Sequence, residues 1–245
     1  MATKTFEIYD IGIVRVSKRS RTRSLRLTIT PTGEVRVSIP QWSPYQSGVD
    51  FARSRTDWIL SHVPEPEQPL QSGHRIGKAH RLVFVTAAID RPSSRTAGTE
   101  IRVSRPLGMA PGHPAVQKVA RRAGIRALRA QAEALLPKRL KQLAEQHGFG
   151  YNSVQVKQLK GRWGSCDAHQ NIVLNLFLMQ LPWELIDYVL IHELTHTKHL
   201  NHSADFWEEF MRHEPRAKAL RKVIKTHHPI LEPVTPAVSR VLAVA

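Results

Sequence analysis

The segment Ile191-His192-Glu193-Leu194-Thr195-His196 places two histidines four residues apart, with a glutamate beside the first. On a helix, residues at that spacing lie about 40° apart around the axis and one turn apart along it. Both imidazoles can therefore meet one cation without strain. Glu193 is then within reach of a water on that cation, the H-E-x-x-H arrangement of zinc hydrolases.

A catalytic zinc takes three protein ligands and leaves its fourth position open. His199 and His202 compete for the third place. His199 falls on the same helical face as His192 but two turns along, too far up a straight helix to close a tetrahedron. His202 follows Asn201, a residue that tolerates the left-handed turn ending many helices, so the chain can swing His202 back over the pair. His202 is the preferred third ligand, and His199 is left with a packing or supporting role.

A second dense segment, Lys160-Gly161-Arg162-Trp163-Gly164-Ser165-Cys166-Asp167, sets an arginine and a tryptophan between two glycines. A tight loop is expected there. Arg162 is positioned to stabilise an oxyanion or grip an anionic substrate, or else the segment is a structural turn with Trp163 in the core. Cys166 lacks a base of its own and is not expected to act as a nucleophile.

These residues need elements to hold them. Leu181-Pro182-Trp183-Glu184 opens a helix, with Glu184 and Asp187 suited to its positive end. The buried run Leu185, Ile186, Val189, Leu190 carries the helix forward to about Leu200. Ser203 is an N-cap for a following helix bearing Phe206, Trp207 and Phe210. Upstream, 153–159 and 171–177 read as strands, the second lying where it would flank a substrate. Residues 115–147 form a long helical pattern that Pro137 should kink or divide and Gly148 should stop. Its polar face bears Lys118, Arg121, Arg122, Arg126 and Arg129.

Earlier in the chain, residues 5–40 alternate apolar and polar positions as half-buried strands do, with Pro31-Thr32-Gly33 turning a hairpin between the last two runs. Phe51 to Val63 reads as a helix with Trp58, Ile59 and Leu60 facing inward. Pro64 to Gly73 is a linker, and 80–85 and 100–103 return to strand. The pattern divides the chain into a β-rich region over 1–113, a catalytic domain over 114–228 and a loose tail over 229–245.

The chain has 245 residues, 41% of them hydrophobic, enough for a sizeable core. Its single cysteine cannot form an internal disulfide. The N-terminus lacks a secretory pattern and the apolar runs are short, so a soluble, cytoplasmic protein without a membrane span is expected. The 36 Lys+Arg against 20 Asp+Glu leave a net charge of +16, which suits a polyanionic partner or simply favours solubility. The densest basic run, Lys18 to Arg26, is either a phosphate contact or a protected strand edge.

Taken in order, Arg162-Trp163-Gly164-Ser165-Cys166, Asn171-Ile172-Val173-Leu174-Asn175, Ile186-Asp187-Tyr188-Val189, His192-Glu193-Leu194-Thr195-His196 and Asn201-His202-Ser203 with Phe206-Trp207 resemble the YgjP-like metal-dependent hydrolases. That family is grouped with the zincin metallopeptidases and looks related to the WLM and SprT-type proteases. The resemblance is strong over 115–212 and looser over 5–63. It implies an α+β fold with a zincin-like domain behind a β-rich N-terminal region. It implies Zn2+ on His192, His196 and His202, with Glu193 as general base.

Three functions follow. The first is zinc-dependent hydrolysis of a peptide or protein substrate, assisted by Arg162. The second is pyrophosphohydrolysis of a nucleoside triphosphate, which some family members resemble. The third is a nucleic-acid-binding module with a structural zinc, contacting its partner through the basic surface around Arg19, Arg21 and Arg23.

Overall fold

In the computed structural model, residues 2–30, 33–62 and 68–231 are described, and they separate into two compact units, 1–68 and 69–245. Pro31 and Thr32 of the expected hairpin turn, residues 63–67 and the residues beyond Leu231 lie outside the described residues. The division falls at Gln68, so residues 69–113, grouped by their pattern with the N-terminal region, belong to the later unit.

In the first unit, β1 (Thr3–Ile8), β2 (Gly12–Arg19), β3 (Arg26–Ile29) and β4 (Val35–Pro40) form a sheet in the order β1-β2-β4-β3. The period-2 pattern sends Val14, Val16, Val35, Val37 and Ile39 to one face, where all are buried. The helix α1 (Tyr45–Arg53) covers that face. A Cβ on Gly48 would stand 2.6 Å from Val16 Cγ1, so only glycine lets the helix approach this closely. β3 and β4 pair antiparallel, as the expected hairpin requires. β2 pairs with β4 in parallel and not with β3, so the basic run after β2 crosses the sheet end instead of turning a hairpin. The expected helix at 51–63 is two elements, α1 and α2 (Thr56–His62). Of the trio at 58–60 only Ile59 is buried, while Trp58 and Leu60 are exposed.

The second unit begins with β5 (Arg75–Ile76), β6 (His80–Ala87), β7 (Ser93–Ala97) and β8 (Glu100–Pro106), in the order β5-β6-β8-β7. The 34-residue helix α3 (Pro114–His147) packs on this sheet, with Ile76, Leu82, Ile101 and Val103 in one buried cluster with Ala120, Ala123 and Leu128. Pro137 does not divide α3, and Gly148 ends it in the left-handed conformation at φ 69°. Buried Gln131 closes the β5–β6 turn, accepting from the Lys78 and Ala79 amides and donating to Ile76 O at 3.1 Å.

Beyond α3 come β9 (Ser153–Lys157), β10 (Gly164–Cys166) and β11 (Asn171–Asn175), a three-stranded sheet in the order β10-β11-β9. β11 is paired on both sides, so the edge strands are β9 and the short β10, the second of which the sequence pattern did not reveal. A 3-10 turn, Leu176–Gln180, leads to α4 (Trp183–Thr195), α5 (Ala204–His213) and α6 (Ala217–Ile224). α4 stops at Thr195, five residues short of the expected Leu200. Arg139 of α3 grips Asp187 of α4 with two hydrogen bonds of 2.8 and 2.6 Å, fixing the rotation of α4 against the long helix. Among the described residues no helix is long and apolar enough to cross a membrane. The whole is a mixed α+β fold whose N-terminal part is β-rich.

Candidate metal centre

α4 is buried on most of its surface, with Leu185, Ile186, Leu190 and Leu194 in the core. Its last turn presents His192 and His196 on one side. The chain leaves the helix at His196, runs through a turn and enters α5 at the N-cap Ser203, whose hydroxyl accepts the Phe206 amide. That reversal brings His202 back: His202 Nε2 lies 3.1 Å from His192 Nε2, and the ligand atoms of His192, His196 and His202 all lie within 4.8 Å of one another. Two nitrogens on one tetrahedral zinc stand about 3.3 Å apart, given bonds of about 2.0–2.1 Å. The observed approach has that scale.

His199 falls outside the helix, and its contribution is its backbone. The carbonyl of His199 accepts from His196 Nδ1 at 2.9 Å. With Nδ1 carrying the proton, Nε2 of His196 keeps its lone pair, the tautomer a metal requires. Burial, helped by the neighbouring histidines, holds His192 neutral down to about 3 and lowers His196 as well. Neutral imidazoles are the ligand form. The donor set thus fits a divalent metal such as zinc. Among the described residues no fourth histidine, cysteine or carboxylate joins this group.

Phe206 forms the floor. It is fully buried, and its ring centroid lies 5.0, 4.6 and 4.8 Å from those of His192, His196 and His202. Glu209 holds the roof of the turn: its carboxylate receives Lys198 Nζ at 2.6 Å and Arg212 at 2.7 Å, tying the segment after α4 to α5.

Glu193 is 5% exposed, and its Oε2 is buried without a hydrogen-bond partner among the described residues. Burial pushes its carboxyl up to about 8, and Arg162 pulls it back only in part. A cation held by the adjacent histidines would lower it further by direct attraction. The unpartnered oxygen is a second sign that this pocket is built around something charged.

The loop of Arg162 and Trp163 comes to the same place. Gly161 takes φ 70°, and Asn175, fully buried, donates to the carbonyls of Leu159 (3.0 Å) and Arg162 (2.8 Å). Gly164 then opens β10 directly against Glu193; a Cβ there would stand 2.6 Å from Glu193 Oε1. Arg162 is exposed and near enough to act on Glu193. Cys166 shares this neighbourhood, and burial with the Glu193 and Asp167 charges raises its thiol to about 11, so it is no nucleophile at neutral pH. Glu209 was not singled out by sequence pattern, and Gly164, Asn175 and Phe206 were quoted in their segments without a role at the site. A glycine inside a strand does signal a close approach of backbone, and Gly164 carried that signal.

The sequence profile of the YgjP-like metallopeptidase domain matches residues 23–227. The chain belongs to this family. The YgjP-like match spans both units, so the N-terminal sheet from β3 onward is part of the family's domain as well as the histidine centre. No curated protein sequence matches. Among solved structures, the metallopeptidase zymogen abylysin of Pyrococcus abyssi is 26% identical, covering 38% of this chain and 94% of that one at a TM-score of 0.34. The metallopeptidase zymogen jannalysin of Methanocaldococcus jannaschii is 19% identical, covering 37% and 95% at 0.33.

Proposed function

We propose that this YgjP-like metallopeptidase is a zinc-dependent peptidase, with the metal on His192, His196 and His202 and Glu193 as general base. The convergence of the three imidazoles beside one buried, unpartnered carboxylate carries this reading. Zinc bound there would bring the pKa of a water toward about 7 and polarise the scissile carbonyl. Glu193 takes the proton as water attacks and returns it to the leaving amine. Its position is held from two sides, by the α4 backbone and by Gly164. Arg162, on the rim beside Glu193, offers a guanidinium to the developing oxyanion or to an acidic substrate group. The open edge of β10 next to Glu193 gives an extended peptide a strand to pair with, which suits a peptide substrate.

A nucleotide substrate is a second reading, supported by Arg162 near Glu193 and by Arg221, which stacks on Trp207 at 4.7 Å and acts on His192. The group of three histidines, without a fourth protein ligand among the described residues, speaks for an open catalytic site over a structural zinc. The deciding experiment incubates the zinc-loaded protein with an unstructured protein substrate and with a panel of nucleoside triphosphates, with and without chelator. Chelator-sensitive peptide cleavage is expected. Pyrophosphate release with no peptide cleavage would replace this reading by the second.

A further inference from the structure

The positive charge is not spread evenly. Residues 69–130 hold twelve Lys and Arg against two acids, Asp90 and Glu100, a balance of +10 in a chain of net +16. The fold places four of these twelve on one face of a sheet. In the sheet β5-β6-β8-β7, the side chains of Ile76, Leu82, Ile101 and Val103 face α3. Alternation therefore sends Arg75, Arg81, Arg102 and Arg95 to the opposite, outer face. All four are exposed.

The register makes the arrangement more pointed. Arg75 stands directly across from Arg81, and Arg95 directly across from Arg102. Like charges in opposed positions weaken a sheet, so two such pairs on one small face run against stability. Glu100 pairs with Arg102 at 2.8 Å. Among the described residues, Arg75, Arg81 and Arg95 form no ion pair. By contrast, in the first unit the opposed Arg15 and Arg36 share the carboxylate of Glu34. The basic surface continues around the free edge of β7, where Arg126 of α3 donates to Ser94 Oγ at 3.0 Å. Lys118, Arg122 and Arg126 recur every four residues along α3 and are all exposed. They make a stripe about 12 Å long, the span of roughly three to four base steps.

We propose that this outer sheet face, with the α3 stripe beside it, binds the phosphate backbone of a nucleic acid. The face holds arginines without aromatic stacking platforms, so it grips backbone charge and reads no bases. A lipid surface fits less well, because the apolar side chains between the arginines, Val83 and Val85, are half-buried and offer nothing to insert. The surface is formed wholly within the second unit and is distinct from the basic run at 18–26.

The test is fluorescence anisotropy of a labelled 20-base-pair duplex titrated with the full chain at several salt concentrations. One variant changes Arg75, Arg81, Arg95 and Arg102 to Gln, and another changes the same four to Lys. The wild type should bind at low salt, with affinity falling steeply as salt rises. The Gln variant should lose at least about tenfold in affinity and about 3 to 4 from the slope of log affinity against log salt, at about 0.9 per phosphate contact. The Lys variant, which keeps the charge, should stay near wild type. No duplex binding by the wild type at low salt would overturn the proposal. So would equal loss in the Gln and Lys variants, loss that instead follows Arg19, Arg21 and Arg23, or binding only to vesicles containing phosphatidylserine.

Discussion

Gly164 and Glu193 meet across the joint between a strand and a helix: a side chain of even one carbon at Gly164 would lie 2.6 Å from Glu193 Oε1 and 2.8 Å from its Cδ. The glycine of one sequence segment thus makes room for the carboxylate of another, 29 residues on. Gly164→Ala should force Glu193 aside at a cost of about 1–3 kcal/mol, or roughly ten- to hundredfold in turnover, if the displaced carboxylate is the base. Zinc content should be unchanged. Measuring kcat and bound metal on the same preparation checks this; a variant as active as wild type would show that the carboxylate need not sit there.

Phe206 supports all three imidazoles from a fully buried position. Phe206→Ala should lower unfolding free energy by about 3–5 kcal/mol in denaturant titrations and weaken metal retention along with it. Retention of metal at wild-type affinity would mean that the histidines hold their positions without the ring.

Cys166 should behave as a half-buried, unreactive thiol. With its thiol raised to about 11, alkylation by iodoacetamide should be slow at neutral pH and accelerate only as pH approaches that value. Cys166→Ser should keep peptidase activity. Rapid labelling at pH 7 with loss of turnover would point to a role for the sulfur.

Glu209 ties the turn after α4 to α5, and the Lys198 hydrogen bond leads the causes that hold its carboxyl at about 2. A folded-state value below the unfolded one contributes stability that is present above the ordinary carboxylate range, near 4.5, and is lost as pH falls toward about 2. The difference in melting temperature between wild type and Glu209→Gln should therefore shrink steadily between those two values. A constant difference across that window would remove the ion pair as its cause.

Much of the site can be read from residue order alone, because H-E-x-x-H spacing follows directly from helix geometry and His202 follows from a turn residue before it. The structure brings His202 to His192, as that reasoning expects. Sequence pattern overruns the helix to Leu200 because Thr197 and Lys198 are compatible with it. The turn that replaces it is held by the local His196–His199 hydrogen bond and by the tertiary Lys198–Glu209 pair. β10 escapes notice for a simpler reason: three residues are too few to show alternation. The parallel pairings of β2 with β4 and β6 with β8 are equally invisible, since local patterning says which face a strand buries and not which strand lies beside it. Trp58 and Leu60 mislead because hydrophobic type alone does not force burial.

The proposed function requires three imidazoles to share one zinc while Glu193 transfers the proton. The direct measurement is the zinc-to-chain ratio of purified wild type and Glu193→Gln, by elemental analysis, with peptide turnover recorded on the same samples. About one zinc per chain in both is predicted, with turnover lowered at least about a hundredfold in Glu193→Gln. Absence of zinc from the active wild type, or undiminished turnover in Glu193→Gln, would contradict it.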